Sequence, residues 1–167
     1  MQSVQSLLGL PILEICCGTQ IAETQEVVVS LEEKSVIGIV TQKEGWLTET
    51  KGILLRDIFR IGRDAITIYS DHVIRVLKLK DTREICLCGE LFDKPVFTET
   101  GLNLGFITDL FFETTTGEVK SYELSDGLIT DLLRGRMVMP LPAAQIINQE
   151  RMIVPEAMSK MIRSETQ

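Results

Sequence analysis

The chain has 167 residues, 44% of them hydrophobic and 25% charged, and 17 basic residues against 24 acidic ones give a net charge of −7. This composition excludes an intrinsically disordered chain, and the acidic balance argues against direct binding of nucleic acid, which requires clustered cations. The longest nearly apolar run, Met137–Ile147, contains two prolines and is far shorter than the roughly 20 residues of a membrane-spanning helix. We therefore expect a cytoplasmic protein that neither spans a membrane nor contacts nucleic acid directly.

Short β-rich runs separated by Gly, Pro, Thr and charged turns follow one another along the chain. In the first half the predicted strands are Ile12–Ile15, Ala22–Ser30, Ser35–Gln42, Ile53–Leu55, Phe59–Ile61 and Ala65–Ile68, with a hairpin turn at 62–64. In the second half they are Pro95–Phe97, Phe106–Glu113, Val119–Leu124, Arg136–Pro140 and Met152–Val154. Pro155–Ile162 is predicted to form a short helical tail, with Met158, Met161 and Ile162 on one face.

The two halves resemble each other at a spacing of about 83 residues. Pro11 corresponds to Pro95 and Gly18 to Gly101, and a pair of loop glycines recurs in each half. Many short strands without long helical periodicity predict an all-β fold of two tandem small β-barrels with short helical turns. The predicted domains are residues 1–80 and 81–167, the second carrying the tail.

Several predicted strands are apolar on both faces, for example at residues 27–29 and 111–112. A half-exposed strand would alternate between apolar and polar residues. The second face must therefore be covered, either by the other barrel or by a second copy of the chain in a homodimer.

The stretch LSDGLITDLLRGRMVMPL, residues 124–141, looks most like a functional motif. Asp126 is a good helix N-cap, and Gly135 follows at a position favoured for helix C-termini, so we interpret the stretch as a capped helical turn between two strands. The alternative is an anion or partner site built from Arg134, Arg136 and the backbone N–H groups near Gly127.

Trp46 lies in the corresponding loop of the first half. It is either a plug over the mouth of the barrel or an exposed anchor for a protein partner.

The four cysteines occur as Cys16-Cys17 and Cys86-x-Cys88, which is not the spacing of common zinc sites. The first interpretation is reduced thiols that pack as small hydrophobic side chains. The second is that the two pairs converge on a metal ion or form a redox couple.

No catalytic motif is present, and a catalytic triad would depend on His72, the only histidine. We therefore expect no enzymatic activity, no catalytic residues and no cofactor.

The second half carries K-P-V-x-T-x-x-G-x-x-L-G-x-I-x-D-L and then S-D-G-L-x-x-D-L-L-x-G-R-x-V-x-P-L, which resembles the PRC-barrel family over residues 91–154. Residues 8–68 resemble it more loosely. The family includes the cytoplasmic barrel of the photosynthetic reaction-centre H subunit and the C-terminal domain of the ribosome maturation factor RimM. The resemblance implies a small closed β-barrel that acts in docking or assembly, here in a tandem stand-alone form.

The sequence thus favours a non-enzymatic adaptor that binds a protein partner, with Trp46, Asp126, Gly127, Arg134 and Arg136 as candidate contacts. Two alternatives remain open. One is a metal or redox protein that uses the four cysteines, and the other is a RimM-like ribosome-assembly factor that acts through a ribosomal protein.

Overall fold

Short β-strands dominate the computed structural model, which describes residues 1–42, 50–77, 85–126, 136–148 and 150–164. The strands in chain order are β1 (Gln2–Ser3), β2 (Pro11–Glu14), β3 (Gln20–Glu23), β4 (Glu26–Ser30), β5 (Ser35–Gln42), β6 (Lys51–Leu54), β7 (Arg60–Ile61), β8 (Ile66–Ile68), β9 (Arg75–Val76), β10 (Ile85–Leu87), β11 (Pro95–Thr98), β12 (Asn103–Phe112), β13 (Val119–Ser125), β14 (Met137–Pro140), β15 (Ile146–Ile147), β16 (Met152–Val154) and β17 (Arg163–Ser164). The 3₁₀-helices are Gln5–Leu7, Leu55–Asp57, Asp71–Val73, Cys88–Glu90 and Glu156–Lys160. The prediction of a mainly β protein is confirmed.

The same arrangement of four strands occurs in each half. The first half has the order β3-β2-β8-β7, and the second half has the order β12-β11-β16-β15 within a larger sheet. In both halves the central pair is parallel and the outer pairs are antiparallel. Both halves also have an irregularity at the same place, after Ile12 in β2 and after Val96 in β11. Each position in one set of strands therefore has a matched position in the other.

The hydrogen-bonded sheets do not close on themselves within the described residues, so the closed barrels that the sequence predicted are not seen as such. In the first half the predicted strand Ala22–Ser30 is divided between β3 and β4. The backbone N–H of Thr24 bonds to Leu10 O, whereas that of the next residue, Gln25, bonds to Val40 O. The chain leaves one sheet and enters another at this point, while β12 continues through the matched position.

The first strand of each half pairs with the other half. β1 runs antiparallel to β12, with Gln2 opposite Phe112, and β10 runs antiparallel to β4, with Cys86 opposite Val29. Each half therefore supplies an edge strand to its neighbour. The predicted domain boundary after residue 80 lies outside the described residues.

Two hairpin turns add a second contact between the halves. Val36 N–H donates to Gly117 O at 2.8 Å, and Val119 N–H donates to Lys34 O at 2.9 Å. Lys34 Nζ also donates to Ala143 O at 2.9 Å. Buried apolar residues from both halves, including Val4, form one cluster. The sequence left two explanations for what covers the second face of the strands that are apolar on both faces, the other half of the chain or a second copy of it. The structure shows that the two halves pack on each other.

The C-terminal segment differs from the predicted helical tail. A 3₁₀-helix covers Glu156–Lys160, and the chain then extends into β17, where Arg163 pairs with Val138. Met158 is buried but Met161 is half exposed, so they do not share the buried face that the sequence predicted. The pairing with β14 ends the helical turn early.

Candidate protein-docking face

The strands β15, β16, β11 and β12 present one side to the core and the other outward. On β11, Val96 and Thr98 are buried, whereas Pro95 and Phe97 are only partly buried. On β16, Met152 and Val154 are buried and Ile153 between them is partly exposed. Because successive strand residues point to opposite sides of a sheet, the outward positions form one surface.

Apolar side chains are cross-strand neighbours on this outer surface. Ile146 is opposite Ile153, and Ile153 is opposite Phe97 on the next strand. Pro95 is opposite Phe106. Ile146 is 67% exposed and Phe106 is 42% exposed. We call these five residues, Pro95, Phe97, Phe106, Ile146 and Ile153, the apolar face.

The first half shows that the fold does not require most of this apolar character. Its four strands have the same pairings, but three of the five matched positions are polar or charged. The differing positions are Phe106 matched by Glu23, Ile146 matched by Arg60, and Ile153 matched by Thr67. Since the same backbone accepts Glu, Arg and Thr at these positions, the apolar residues call for an explanation other than folding. Contiguous exposed apolar surface is typical of an interaction site.

The structure describes only two of the five candidate contacts that the sequence indicated. Trp46, Gly127 and Arg134 lie outside the described residues, as does the predicted helical turn between β13 and β14. Asp126 lines an open groove of about 300 Å³, together with Asn103, Leu104, Met137, Ser159 and Ile162. The groove borders the apolar face, because Asn103 is opposite Phe97 on the neighbouring strand.

Arg136 forms an ion pair with a buried carboxylate of its own sheet. Its guanidinium donates to Glu123 Oε1 at 2.5 Å, and the Glu123 side chain is only 9% exposed. Thr108 Oγ1 donates to the same oxygen at 3.1 Å. A buried carboxylate requires such partners, because an unpaired charge away from water is costly. Arg136 therefore has a structural partner, a role that the sequence did not predict.

The two cysteine pairs lie in different surroundings. Cys16 and Cys17 are exposed, Cys86 is partly buried and Cys88 is buried. Burial raises the pKa of the Cys86 thiol to about 12, with Glu90 adding to the rise. Burial also raises the pKa of the Cys88 thiol. Cys86 and Cys88 therefore fit the interpretation of packed, protonated thiols.

The alternative of a metal site formed by both cysteine pairs finds no support in the geometry. Among the described residues, which include all four cysteines, no three His, Cys, Asp or Glu side chains cluster so as to hold a metal ion.

The sequence singled out none of the five residues of the apolar face as a candidate contact. The signal was nevertheless present, because the 83-residue repeat places Phe106 over Glu23. A residue-by-residue comparison of the two copies shows where one copy has apolar residues that the other does without.

The family model of the PRC-barrel domain matches residues 87–161, which include β11 to β16 and all five residues of the apolar face. The resemblance of the second half to the PRC-barrel family is thus confirmed over these residues. No curated protein matches the chain. In the part of the chain that the structure describes, no helix is long and apolar enough to cross a membrane.

Proposed function

We propose that this protein is a non-enzymatic adaptor of two PRC-type barrels that binds a protein partner through the apolar face of its second half. The observation that carries the proposal is the contrast between the matched faces. One backbone arrangement occurs twice in the chain, and three of the five outward positions that are apolar in the copy matching the family model are polar or charged in the other copy.

The size of the face indicates the kind of binding. Five residues form it, whereas a stable protein–protein interface takes about 20–30 residues on each side. The apolar face is therefore the centre of a small interface, where buried aromatic and aliphatic anchors contribute most of the binding free energy. A partner with a short apolar segment and a transient mode of binding fits these dimensions.

The lack of enzymatic activity is part of the proposal. His72 is exposed, and its Nδ1 lies 3.6 Å from the carboxylate of the adjacent Asp71. The partly buried Arg136–Glu123 pair is accounted for by neutralisation within the sheet. These surroundings support binding rather than chemistry as the task of the molecule.

The first prediction concerns a variant whose apolar face carries the polar and charged residues of the first half. The variant Phe106→Glu, Ile146→Arg, Ile153→Thr introduces residues that the first half already holds at the same sheet positions, and it leaves the net charge unchanged. We expect capture of the protein partner from a native extract to fall by about tenfold or more, because one lost anchor costs about 1–2 kcal/mol. Quantitative mass spectrometry of the captured proteins measures this loss.

The matched control is Glu23→Ala with Arg60→Ala on the first half, which should leave capture unchanged. The thermal unfolding of all variants should stay cooperative, which separates lost binding from lost folding. Unchanged capture by the triple variant would show that the partner binds elsewhere.

A further inference from the structure

Two adjacent thiols occupy the turn between β2 and β3. Cys16 and Cys17 are both exposed. The Cys16 thiol donates to Tyr69 O at 3.3 Å, and the Cys17 thiol donates to Glu14 Oε2 at 2.9 Å. Both thiols are therefore accessible while each has a single weak partner.

The matched turn of the second half shows that the fold does not need these thiols. Glu14 N–H bonds to Thr19 O in the first half, and Thr98 N–H bonds to Leu102 O in the second. The first turn is therefore one residue longer than the second. The second turn contains no cysteine. The thiol pair occupies the longer turn.

Exposed aromatic and aliphatic side chains lie in and beside the turn. Tyr69, whose carbonyl accepts the Cys16 thiol, packs edge-on against Phe59 with ring centroids 4.8 Å apart. Both rings and the side chain of Ile15 are more than 40% exposed. The thiol of Cys16 therefore contacts the backbone of an exposed aromatic pair.

The geometry points to a reversible redox site: we propose that Cys16 and Cys17 form a vicinal disulfide by exchange with a small-molecule disulfide such as oxidised glutathione. In the first step one cysteine thiolate attacks the glutathione disulfide, forms a mixed disulfide and releases one reduced glutathione. In the second step the neighbouring thiolate attacks the protein sulfur of that mixed disulfide, forms the Cys16–Cys17 bond and releases the second glutathione. The protein loses two electrons and two protons, and the glutathione disulfide gains them.

The expected disulfide is easily reduced. Adjacent Cα atoms are about 3.8 Å apart across a trans peptide bond, whereas unstrained disulfides join Cα atoms at least about 4.4 Å apart. Strained, exposed disulfides have the more oxidising potentials that are typical of labile, regulatory bonds. Oxidation also removes the hydrogen that Cys16 donates to Tyr69 O, while the backbone hydrogen bond from Ile15 N–H to Ile68 O remains.

The test treats the folded full-length chain with excess oxidised glutathione at neutral pH and measures the intact mass and the alkylated peptides. We expect the loss of two hydrogen atoms without retained glutathione, with Cys16 and Cys17 protected from alkylation. Mild reduction with glutathione should restore both thiols. Cys86 and Cys88, which are less accessible, should remain alkylatable after unfolding and serve as internal controls.

Single variants distinguish the two steps. With Cys16→Ser or Cys17→Ser, the remaining thiol has no neighbour to resolve the mixed disulfide, so the chain should retain one glutathione. Cys86→Ser should behave as the unchanged chain does. Stable glutathione adducts on the unchanged chain, disulfide-linked dimers, or a chain that keeps all four thiols would each overturn the proposal.

Discussion

Replacing Gly117 by alanine should lower the free energy of unfolding by about 3 kcal/mol, because strain and overpacking add at one position. Gly117 has a φ of 79°, which L-residues with a side chain rarely adopt. An added Cβ would overlap the carbonyl oxygen of Val36 and lie 2.8 Å from Leu55 Cδ2. The overlap falls where the two halves meet, so the loss should appear as a lower midpoint in a denaturant titration.

Gly101→Ala is the matched control for Gly117→Ala. Gly101 has a φ of 90°, but an added Cβ there would meet nothing within 4 Å. Its replacement should therefore cost only the backbone strain, about 1–2 kcal/mol. Equal losses for the two variants would show that Gly117 is needed for its backbone angle alone and that the contact with Val36 is loose.

Replacing Asp109 by alanine should destabilise the attachment of β1 to the second half. Asp109 is 4% exposed, and its carboxylate accepts hydrogen bonds from the Ser3 hydroxyl, from Gln5 N–H at 3.1 Å and from Leu110 N–H at 2.7 Å. Alanine leaves these donors without their acceptor, at an expected cost of about 3 kcal/mol. Hydrogen exchange should report faster opening of residues 2–7 before global unfolding.

Two controls accompany Asp109→Ala. Asp109→Asn keeps one carbonyl acceptor and should cost less. Glu26, at the matched position of the first half, accepts hydrogen bonds from Val27 N–H at 2.9 Å and Gly89 N–H at 3.3 Å but is partly exposed. Glu26→Ala should therefore cost less than Asp109→Ala. Protection of residues 2–7 that is unaffected by Asp109→Ala would mean that β1 is held by its backbone pairing with β12 alone.

Several strands and one turn were predictable because their signals are local. Ser35–Gln42 and Met152–Val154 form strands at the predicted bounds, since each is a β-branched or apolar run between turn residues. The hairpin turn at 62–64 is present, with Gly62 N–H bonded to Ala65 O at 2.9 Å. Local composition was sufficient for these elements.

The exchange of first strands was not predictable in the same way. β1 has two residues and β10 has three, so neither shows a period that distinguishes a strand from a loop. Each of them pairs with a strand of the other half, so its pairing partner is distant in the sequence. The division of Ala22–Ser30 into β3 and β4 is likewise set by tertiary hydrogen bonds at Thr24 and Gln25.

The prediction of the candidate site from sequence was limited in the same way. Asp126 and Arg136 attracted attention because charged residues and glycines are dense around them, yet Arg136 neutralises the buried Glu123. The apolar face is assembled from two pairs of consecutive strands, β11 with β12 and β15 with β16, which β13 and β14 separate in the sequence. Its members are ordinary apolar residues when read singly. Only the comparison of matched positions separates Phe106 from the many apolar residues that the core requires.

Site-specific photo-crosslinking in the native cell tests the docking face most directly. A photoreactive amino acid is placed either at Phe106 or at the matched position Glu23, and the cross-linked products of the two chains are compared. A face used for docking predicts a protein adduct at position 106 and little or none at position 23. Equal adducts at both positions, or an adduct at position 23 alone, would contradict the assignment of the second half as the binding side.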